Sequence, residues 1–397
     1  MVYGFRKVGK YCILVATVLI IFNIAGVWIY EGSYRRNSLL TCERENNNIL
    51  SSTDKHIEGK SYDILINSYM RSGSSFMGRL LAWHPDTFYW YEPLWNYDSG
   101  VYYWGKDLLC VGRNMCGLAK NKTRHNLGRV YATFDNIYNC NLSVLSAAMT
   151  ENITLIHSGK IWQPYKECRK KKLSILKCLQ QMEQVCKSSK HKATKTVRLT
   201  LDNLESTLKT NPDVKLIHLF RDPRAIMNSR LTTKWFGLKE LRFNDYKLLQ
   251  EDATDLCNRM IHDFIAGIHL KQKYPQRFSF VMFEDLMDDK TKKSKILFEF
   301  FGLEMRIDKD LFKAVPVPTD DYKFTRRKSK NYADWWRLQL SVGALDIIDR
   351  SCINALECLG YKRFFTEENL RNLSIKAYDF QNQYKLQNIL KTDHYEL

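Results

Sequence analysis

The stretch DILINSYMRSGSSF, residues 63–76, decides the fold, and a helix-like stretch over residues 77–83 follows it. The apolar run at its start predicts a buried strand. A strand that delivers a short Gly/Ser-rich turn to a helix N-terminus leaves backbone N–H groups unpaired, and the helix dipole adds positive charge there. Arg71 contributes a forked, charged donor. The turn therefore predicts an anion site, although the G-x-x-x-x-G-K-[ST] spacing of a Walker A loop is absent.

A second unit of the same kind begins at Val214–Phe220, where an apolar strand runs into Arg221-Asp222-Pro223-Arg224 and a helical stretch. Two such units predict an α/β domain with a parallel sheet. A third strand is predicted over 278–283, and helices over 247–273, 290–301 and 341–359. Parallel strands bring both turns to one sheet edge. Arg221, with Ser229 and Arg230 on the following helix, is therefore predicted to form a second phosphate site.

Composition narrows the class of protein. The chain has 397 residues with 45% hydrophobic content, which is enough for a large core and excludes disorder throughout. Its net charge of +18 favours anionic partners, among them nucleic acid, anionic lipid, phosphorylated cofactors and acidic glycans. Charge alone does not choose among these partners.

The N-terminus predicts a membrane anchor. Residues 11–30 contain no charged residue and are long enough to span a bilayer as a helix. Arg6, Lys7 and Lys10 precede them, which favours a cytosolic tail of residues 1–10 and a lumenal remainder. The alternatives are a cleaved signal peptide and a buried helix.

Sequons and cysteines also indicate the secretory pathway. Potential N-glycosylation sites occur at Asn121, Asn141, Asn152 and Asn372. Of the eleven cysteines, all except Cys12 follow the predicted anchor, and their even number is compatible with disulfide bonds. The short intervals between Cys110 and Cys116 and between Cys352 and Cys358 suggest small closed loops.

The predicted organisation follows from shifts in composition. Residues 31–60 are polar and predict a lumenal stem, residues 61–365 the catalytic domain, and residues 366–397 a C-terminal tail. Within the domain, residues 101–196 are irregular, contain most of the sequons and include the basic clusters Arg169–Lys172 and Lys187–Lys195. This part is predicted to be a variable, glycosylated region that faces the substrate, although a charge run is more often a solvated surface.

Several blocks together resemble the Golgi carbohydrate 6-O-sulfotransferases that act on galactose, N-acetylgalactosamine and N-acetylglucosamine. They are Arg71–Phe76, His84–Tyr89 with Tyr91–Trp95, His218–Ala225 through Ser229-Arg230, Phe283–Leu286, Trp336-Arg337 and Cys352 through Tyr361. The resemblance runs from about residue 61 to 365, in order, but residues 101–196 match poorly.

The resemblance implies a sulfotransferase fold, a P-loop-like parallel sheet flanked by helices, and a donor, 3′-phosphoadenosine-5′-phosphosulfate (PAPS), that leaves as 3′,5′-ADP. The first loop would bind the 5′-phosphosulfate, and Arg221 and Ser229 would hold the 3′-phosphate. The residues implied in donor binding are Arg71, Ser72, Gly73, Ser74, Ser75, Phe76, Met77, Arg221, Asp222, Pro223, Arg224, Ser229 and Arg230. No metal is expected, because Arg and backbone donors can stabilise the transferred group. The acceptor would be a glycosaminoglycan or a glycoprotein glycan, and the enzyme would be a single-pass type II protein of the Golgi membrane.

The acceptor hydroxyl needs a base, and Glu92 is the candidate, with Arg71 as the second catalytic residue. His84 is the rival base, although its place before Pro85 suits the end of a helix. Four aromatic side chains in this region are candidates for stacking on sugar rings, with core packing the alternative for at least half of them: Tyr89, Trp90, Tyr91 and Trp95.

Two other functions remain open from the sequence. A Golgi glycosyltransferase would share the anchor, sequons and cysteines, and Asp308-Lys309-Asp310 formally matches its metal-binding D-x-D motif. A non-catalytic glycan-binding relative would use the positive charge but would not need Arg71 or Arg221. Residues 326–328, Arg-Arg-Lys, are further candidates for contact with the donor.

Overall fold

The computed structural model describes residues 43–44, 61–95, 101–104, 108–111, 116–118, 122–145, 150, 157–232, 246–304, 333–380 and 384–385. The predicted anchor, Asp308–Asp310 and residues 326–328 lie outside these ranges. Among the described residues, no helix is both long and apolar enough to cross a bilayer. The chain divides into two units. In the smaller one, residues 1–45 with 384–395, the described strands β1 (Glu43–Arg44) and β10 (Tyr384–Lys385) pair antiparallel.

The larger unit is built on a parallel sheet of five strands in the order β3-β7-β2-β8-β9. These strands are β2 (Asp63–Ser68), β3 (Thr87–Tyr91), β7 (His191–Thr196), β8 (Val214–Phe220) and β9 (Phe278–Met282). The predicted parallel sheet is thus confirmed, and β2, β8 and β9 coincide closely with the three apolar runs. The strands β3 and β7 have no counterpart among the strands predicted from the sequence.

Helices join the strands and cover both faces of the sheet. They are α1 (Ser74–Trp83), α2 (Lys122–Tyr138), α3 (Gln163–Lys170), α4 (Ile175–Ser188), α5 (Leu201–Thr210), α6 (Pro223–Thr232), α7 (Tyr246–Lys273), α8 (Phe283–Asp288), α9 (Lys290–Phe301), α10 (Trp336–Gln339), α11 (Val342–Ser351), α12 (Ile353–Cys358) and α13 (Glu367–Arg371). The helix predicted over 341–359 is in fact two, because the backbone departs from helical geometry at Cys352. Between β3 and α2, the strands β4 (Val101–Trp104), β5 (Leu108–Val111) and β6 (Cys116–Leu118) form a small antiparallel sheet.

Alternation along the strands divides the core into two layers, since successive strand residues point to opposite faces. One layer contains Leu65, Phe88 and Trp90 with the buried sides of α2 to α5. The other contains Ile64, Ile66 and Tyr89 with α1 and α9. A strand covered on both faces reads as a continuous apolar run, which explains why β2 and β8 are evident in the sequence.

The C-terminal part packs on the domain beyond its predicted end at residue 365. The guanidinium of Arg337, fully buried, donates to four backbone carbonyls of this segment: those of Asn369, Leu370, Asn372 and Ile375. The backbone of Gly360 and Lys362 also bonds to Asp379 and Ala377. Residues 366–380, predicted as the start of a tail, are therefore held by the domain.

Three disulfides lie in the described part of the chain: Cys140–Cys186, Cys168–Cys178 and Cys257–Cys352. The suggested Cys352–Cys358 loop is wrong, because Cys352 bonds to Cys257 on α7. Residues six apart on a helical path point to different sides, and the Cys352 sulfur lies against the Ala253 carbonyl of α7. In the small sheet, the strand register places Cys110 opposite Cys116. A disulfide between those two stays a prediction.

The Cys257–Cys352 bond should contribute more stability than the Cys168–Cys178 bond. Their sequence separations are 95 and 10 residues. Chain-entropy scaling predicts losses of about 5 and about 3 kcal/mol when each pair is replaced by serine. Urea unfolding of the two double-serine variants of the full-length chain measures the difference. A loss from C168S/C178S as large as that from C257S/C352S would contradict the expectation.

Candidate active site

All five parallel strands end at the same edge of the sheet, and a polar or charged residue follows each strand end. Arg71 follows β2, Glu92 follows β3, Arg198 follows β7, Arg221 follows β8 and Glu284 follows β9. The sheet therefore gathers side chains that are far apart in sequence into one edge, where ligands bind in open α/β folds.

The loop between β2 and α1 turns sharply and exposes the start of the helix. Arg71 and Gly73 both have left-handed backbone angles, with φ of 77° and 95°. No side chain among the described residues caps α1 at Gly73. The first backbone N–H groups of a helix have no intrahelical acceptor. The buried hydroxyl of Ser72 also lacks a hydrogen-bond partner in the described structure. This loop has the donors and the shape of an anion site.

The loop after β8 interlocks with the first one through Arg221. A terminal guanidinium nitrogen (Nη1) of Arg221 donates to the carbonyl of Arg71 at 3.1 Å, and its planar group lies 4.6 Å from the ring centre of Phe283. Its Nε is buried and makes no hydrogen bond to any described residue. Nε of Arg71 in turn donates to Oγ of Ser229, on α6, at 2.9 Å. The structure thus brings Arg71, Arg221 and Ser229 together.

Other predicted donor-site residues after β8 are engaged within the protein. Arg224 is fully buried and forms a forked pair with the Asp222 carboxylate, with Nε and Nη2 donating at 2.9 and 2.8 Å. It also donates to the carbonyl of Lys362, and Pro223 begins α6. Direct contact of Arg224 with a ligand would require it to leave this pair. Arg230 is buried, with Nη2 3.5 Å from the carbonyl of Met70 in the first loop.

Glu284 fixes the loop after β8 from the neighbouring strand. Its Oε1 accepts from the backbone N–H of Asp222 at 3.0 Å, and its Oε2 accepts from the Tyr361 hydroxyl at 2.9 Å. Burial, reinforced by the nearby Asp222 carboxylate, raises the pKa of Glu284 to about 7. Glu284 therefore connects β9, the Arg221 loop and the C-terminal part of the domain.

Glu92 is buried directly after β3 and pairs with Lys195 near the end of β7. Both side chains are almost fully buried, and the Lys195 ammonium donates to Oε1 of Glu92. Burial lowers the pKa of Lys195, and the Glu92 carboxylate opposes that shift. Oε2 of Glu92 is buried without a hydrogen-bond partner among the described residues, and its backbone φ is 37°. Strained backbone and an unpartnered buried oxygen are features of functional sites.

Lys195 is the functional residue that sequence reasoning missed, because it lay in the predicted basic cluster Lys187–Lys195. The structure divides that cluster: Lys187 and Lys190 are exposed, whereas Lys195 is 1% exposed. The sequence carries no clear local signal for it, because its strand, His191–Thr196, is polar and does not alternate between apolar and polar residues.

Aromatic and basic side chains surround the Glu92–Lys195 pair at the β3 and β7 end of the sheet edge. The Lys195 ammonium lies 4.4 Å from the ring centre of Tyr91, and the ring of His157 lies 4.7 Å from Tyr91. Burial, together with the positive charge of Lys195, lowers the pKa of His157. The Arg198 guanidinium lies 5.5 Å from the Trp95 ring.

The remaining candidates near Glu92 are the four aromatic residues considered for sugar stacking and the rival base His84. Tyr89 and Trp90 are fully buried core residues, which confirms core packing for half of the four aromatic candidates. Tyr91 lies beside the Lys195 ammonium, and Trp95 lies beside Arg198. His84 ends α1, where its Nε2 lies 2.9 Å from the carbonyl of Glu304. It precedes β3 and so lies at the sheet edge opposite Glu92.

Comparison with known proteins decides the family. A model described as "Sulfotransferase family" matches residues 63–307, the segment that contains all five strands of the sheet. The chain belongs to the sulfotransferase family. It is a transferase enzyme, as predicted, and its relatives confirm the resemblance to carbohydrate sulfotransferases.

Two curated relatives illustrate the similarity. Carbohydrate sulfotransferase 1 of Danio rerio is 27% identical over 351 residues, which cover 79% of this chain and 80% of that protein. Carbohydrate sulfotransferase 6 of Homo sapiens is 24% identical over 345 residues, which cover 79% and 84%. Among solved structures, the sulfotransferase domain of the Synechococcus PCC 7002 olefin synthase is 16% identical, with a TM-score of 0.38 over 76% of this chain and 98% of that chain.

Gly73 is expected to be irreplaceable in this sulfotransferase. A Cβ atom there would lie 2.3 Å from the Phe283 ring, and the φ of 95° disfavours any L side chain. Gly73→Ala should therefore reduce sulfotransferase activity by about tenfold or more through distortion of the loop. Gly128→Ala is the matched control, because a Cβ there meets nothing within 4 Å. Equal activity of the two variants would refute this role of the loop.

Glu284 predicts a pH dependence of stability. Its pKa lies above the ordinary 4.5, at about 7, so the folded protein holds a proton that the unfolded chain releases. The stabilisation is therefore complete below about pH 4.5 and is lost as the pH rises through 7. Unfolding free energies of wild type and Glu284→Gln, measured from pH 4.5 to 8, should diverge by about 3 kcal/mol, with wild type losing more. A constant difference between the two proteins would contradict this assignment.

Proposed function

We propose that this enzyme transfers a sulfuryl group from PAPS to a hydroxyl of a carbohydrate, the 6-hydroxyl of galactose, N-acetylgalactosamine or N-acetylglucosamine. The observation that carries the proposal is the interlocked pair of loops at one sheet edge, where Arg221 bonds the carbonyl of Arg71 and Arg71 bonds Ser229. Two loops rich in anion donors suit a donor with phosphate groups at both ends. The names of the curated relatives support a carbohydrate acceptor.

The residues present fit such a donor. Ser72 and Arg221 each keep a buried hydrogen-bonding atom, Oγ and Nε, that the described part of the chain does not satisfy. Both atoms lie in the two loops at the ligand-binding edge of the sheet, where a bound anion would give them a partner. In this proposal the first loop, from Arg71 to Met77, binds the 5′-phosphosulfate, and Arg221 with Ser229 and Arg230 binds the 3′-phosphate. Asp222, Pro223 and Arg224 hold the second loop in place.

PAPS supplies an activated sulfuryl group and a leaving group, 3′,5′-ADP. The protein must position the acceptor hydroxyl, take its proton and stabilise negative charge. Oε2 of Glu92 is the proton acceptor in this proposal, because its other oxygen is occupied by Lys195. Lys195 compensates the buried negative charge of the carboxylate and holds it in place. Arg71 and the N–H groups at the start of α1 stabilise the charge that develops on the transferred group.

We also propose the cellular setting predicted from the sequence: a type II Golgi membrane protein with its catalytic domain in the lumen. The uncharged run of residues 11–30 supports the anchor. Disulfide bonds support an oxidising compartment. Asn141 and Asn372, the first residues of two sequons, are exposed and therefore accessible to a glycan. Glycosidase treatment of the expressed full-length chain tests this setting. A decrease in mass is expected, and an unchanged mass would contradict the proposal.

The function is tested by transfer of radiolabelled sulfate from PAPS with the full-length chain. The acceptors are desulfated chondroitin, desulfated keratan and N-acetylglucosamine-terminated oligosaccharides, and digestion of the labelled product identifies the sulfated position. Label at the 6-hydroxyl of one acceptor is expected. Label on none of them, together with no binding of 3′,5′-ADP, would overturn the proposal. Binding without transfer would favour a non-catalytic relative.

A further inference from the structure

A disulfide closes a strongly basic loop between α3 and α4. The loop runs from Cys168 to Cys178 and is hereafter the basic loop. It contains five basic residues and no acidic one, in the sequence CRKKKLSILKC: Arg169, Lys170, Lys171, Lys172 and Lys177. All five are exposed, whereas both cysteines are buried.

The basic loop has internal hydrogen bonds that order its backbone. The Arg169 guanidinium donates to the carbonyl of Leu173, and Lys172 has a left-handed φ of 58°. Ser174 caps α4 by accepting from the N–H of Lys177 at 3.2 Å. The loop therefore presents its lysines without having to be ordered first, and such preorganisation lowers the cost of binding a ligand.

The charges in the basic loop are not neutralised locally. Among the described residues, neither Lys170, Lys171 nor Lys172 forms an ion pair with a carboxylate. Neighbouring like charges repel each other, and the N-terminus of α4 adds further positive potential. A closed loop that concentrates uncompensated positive charge differs from an ordinary solvated face, where charges of both signs alternate.

The basic loop belongs to the Glu92 half of the domain rather than to the donor loops. The α3–α4 hairpin lies in the connection between β3 and β7, the strands that precede Glu92 and contain Lys195. Trp162, immediately before α3, donates to the carbonyl of Tyr89 in β3 at 2.9 Å. The hairpin is therefore anchored to the strand that leads to the proposed base.

We propose that the basic loop binds the acidic groups, carboxylates or sulfate esters, of a polyanionic acceptor glycan at a distance from the reacting sugar. This inference rests on the proposed function and narrows its acceptor to acidic polysaccharides. An anionic membrane would also attract the loop, but anionic lipids concentrate in the cytoplasmic leaflet, and the domain is proposed to lie in the lumen. An acidic glycan is the polyanion that a lumenal carbohydrate sulfotransferase meets.

The test neutralises the loop in the full-length enzyme as K170Q/K171Q/K172Q. Arg169 is retained because it bonds the loop backbone. The matched control is K290Q/K292Q/K295Q, which removes three exposed lysines from α9 and changes the net charge equally. The readouts are the KM and kcat for desulfated chondroitin and for a neutral N-acetylglucosamine disaccharide, and equilibrium binding of fluorescent chondroitin sulfate.

The loop variant should raise the KM for chondroitin and weaken chondroitin sulfate binding by about tenfold each at low salt, with kcat unchanged. The control variant should keep the wild-type KM and binding for chondroitin. The loop variant should keep the wild-type KM for the neutral disaccharide. Equal effects of the two triples, or no effect of the loop triple, would overturn the proposal. In a parallel binding assay with phosphatidylserine vesicles, weaker vesicle binding by the loop variant with undiminished binding to chondroitin sulfate would also overturn it. Because the binding readout needs no catalysis, it tests the basic loop even if no acceptor is sulfated.

Discussion

Replacing Glu92 with glutamine is expected to lower kcat by about a thousandfold, because the amide cannot take the proton of the acceptor hydroxyl. The change keeps the shape of a side chain that is buried beside Lys195. Affinity for PAPS should change less than kcat, since the described ion pair of Glu92 is with Lys195 and not with a residue of the Arg71 or Arg221 loop. Steady-state kinetics of the full-length enzyme, with PAPS and acceptor varied separately, give the two effects.

The control for this variant is Glu183→Gln, which alters a carboxylate that bonds only the backbone N–H of Ser143 in the described structure. It should retain wild-type kcat. Because Glu92→Gln leaves Lys195 buried without its partner, the double variant E92Q/K195M separates folding from chemistry. If the pair acts as one unit, the double variant should be better folded than E92Q and about as inactive. An E92Q enzyme with more than about a tenth of wild-type kcat would exclude Glu92 as the base.

Replacing Arg221 with alanine is expected to lower kcat/KM for PAPS by about a hundredfold, the effect of losing a buried charged donor. The guanidinium holds the Arg71 carbonyl and keeps Nε available for a ligand. Arg221→Lys should be intermediate, since a lysine lacks the fork. Arg350→Ala is the control, because that arginine is exposed and pairs with Asp346 on the same helix.

The neighbouring Arg224 should behave in the opposite way. Arg224→Ala leaves the buried Asp222 carboxylate without its charged partner, so the variant should lose about 3 kcal/mol or more of stability. Arg221→Ala should instead lose substrate affinity with a small change in melting temperature. An unchanged kcat/KM for PAPS in Arg221→Ala would show that the second loop does not bind the donor.

The sequence predicts the Arg71 and Arg221 loops well because the patterns that indicate them are local. The apolar runs of β2 and β8 are each followed at once by a turn and a helix, so strand, loop and helix are visible within one short stretch. Parallel topology then places the two loops at one edge without further information. The contact between Arg71 and Ser229 follows from that arrangement.

The surroundings of Glu92 could be predicted only in part, because the residues that contact each other there are distant in sequence. The strand β7, HKATKT, looks like a polar surface segment, yet it is buried between β3 and β2. Two of its polar side chains bond to residues far along the chain: Lys195 to Glu92, and Nδ1 of His191 to the carbonyl of Tyr62. The pairing of Cys257 with Cys352 and the burial of Arg224 likewise depend on how the helices pack. No local pattern contains that information.

The most direct test of the account is calorimetric titration of the full-length protein with 3′,5′-ADP and, separately, with 5′-AMP. The two ligands differ only in the 3′-phosphate that the Arg221 loop is proposed to hold. We expect one 3′,5′-ADP to bind per chain. We expect 5′-AMP to bind about a hundredfold more weakly, because it lacks the phosphate that makes a charged, bidentate contact. Equal affinity for the two nucleotides, or no binding of either, would contradict the claim that the interlocked loops form a PAPS site.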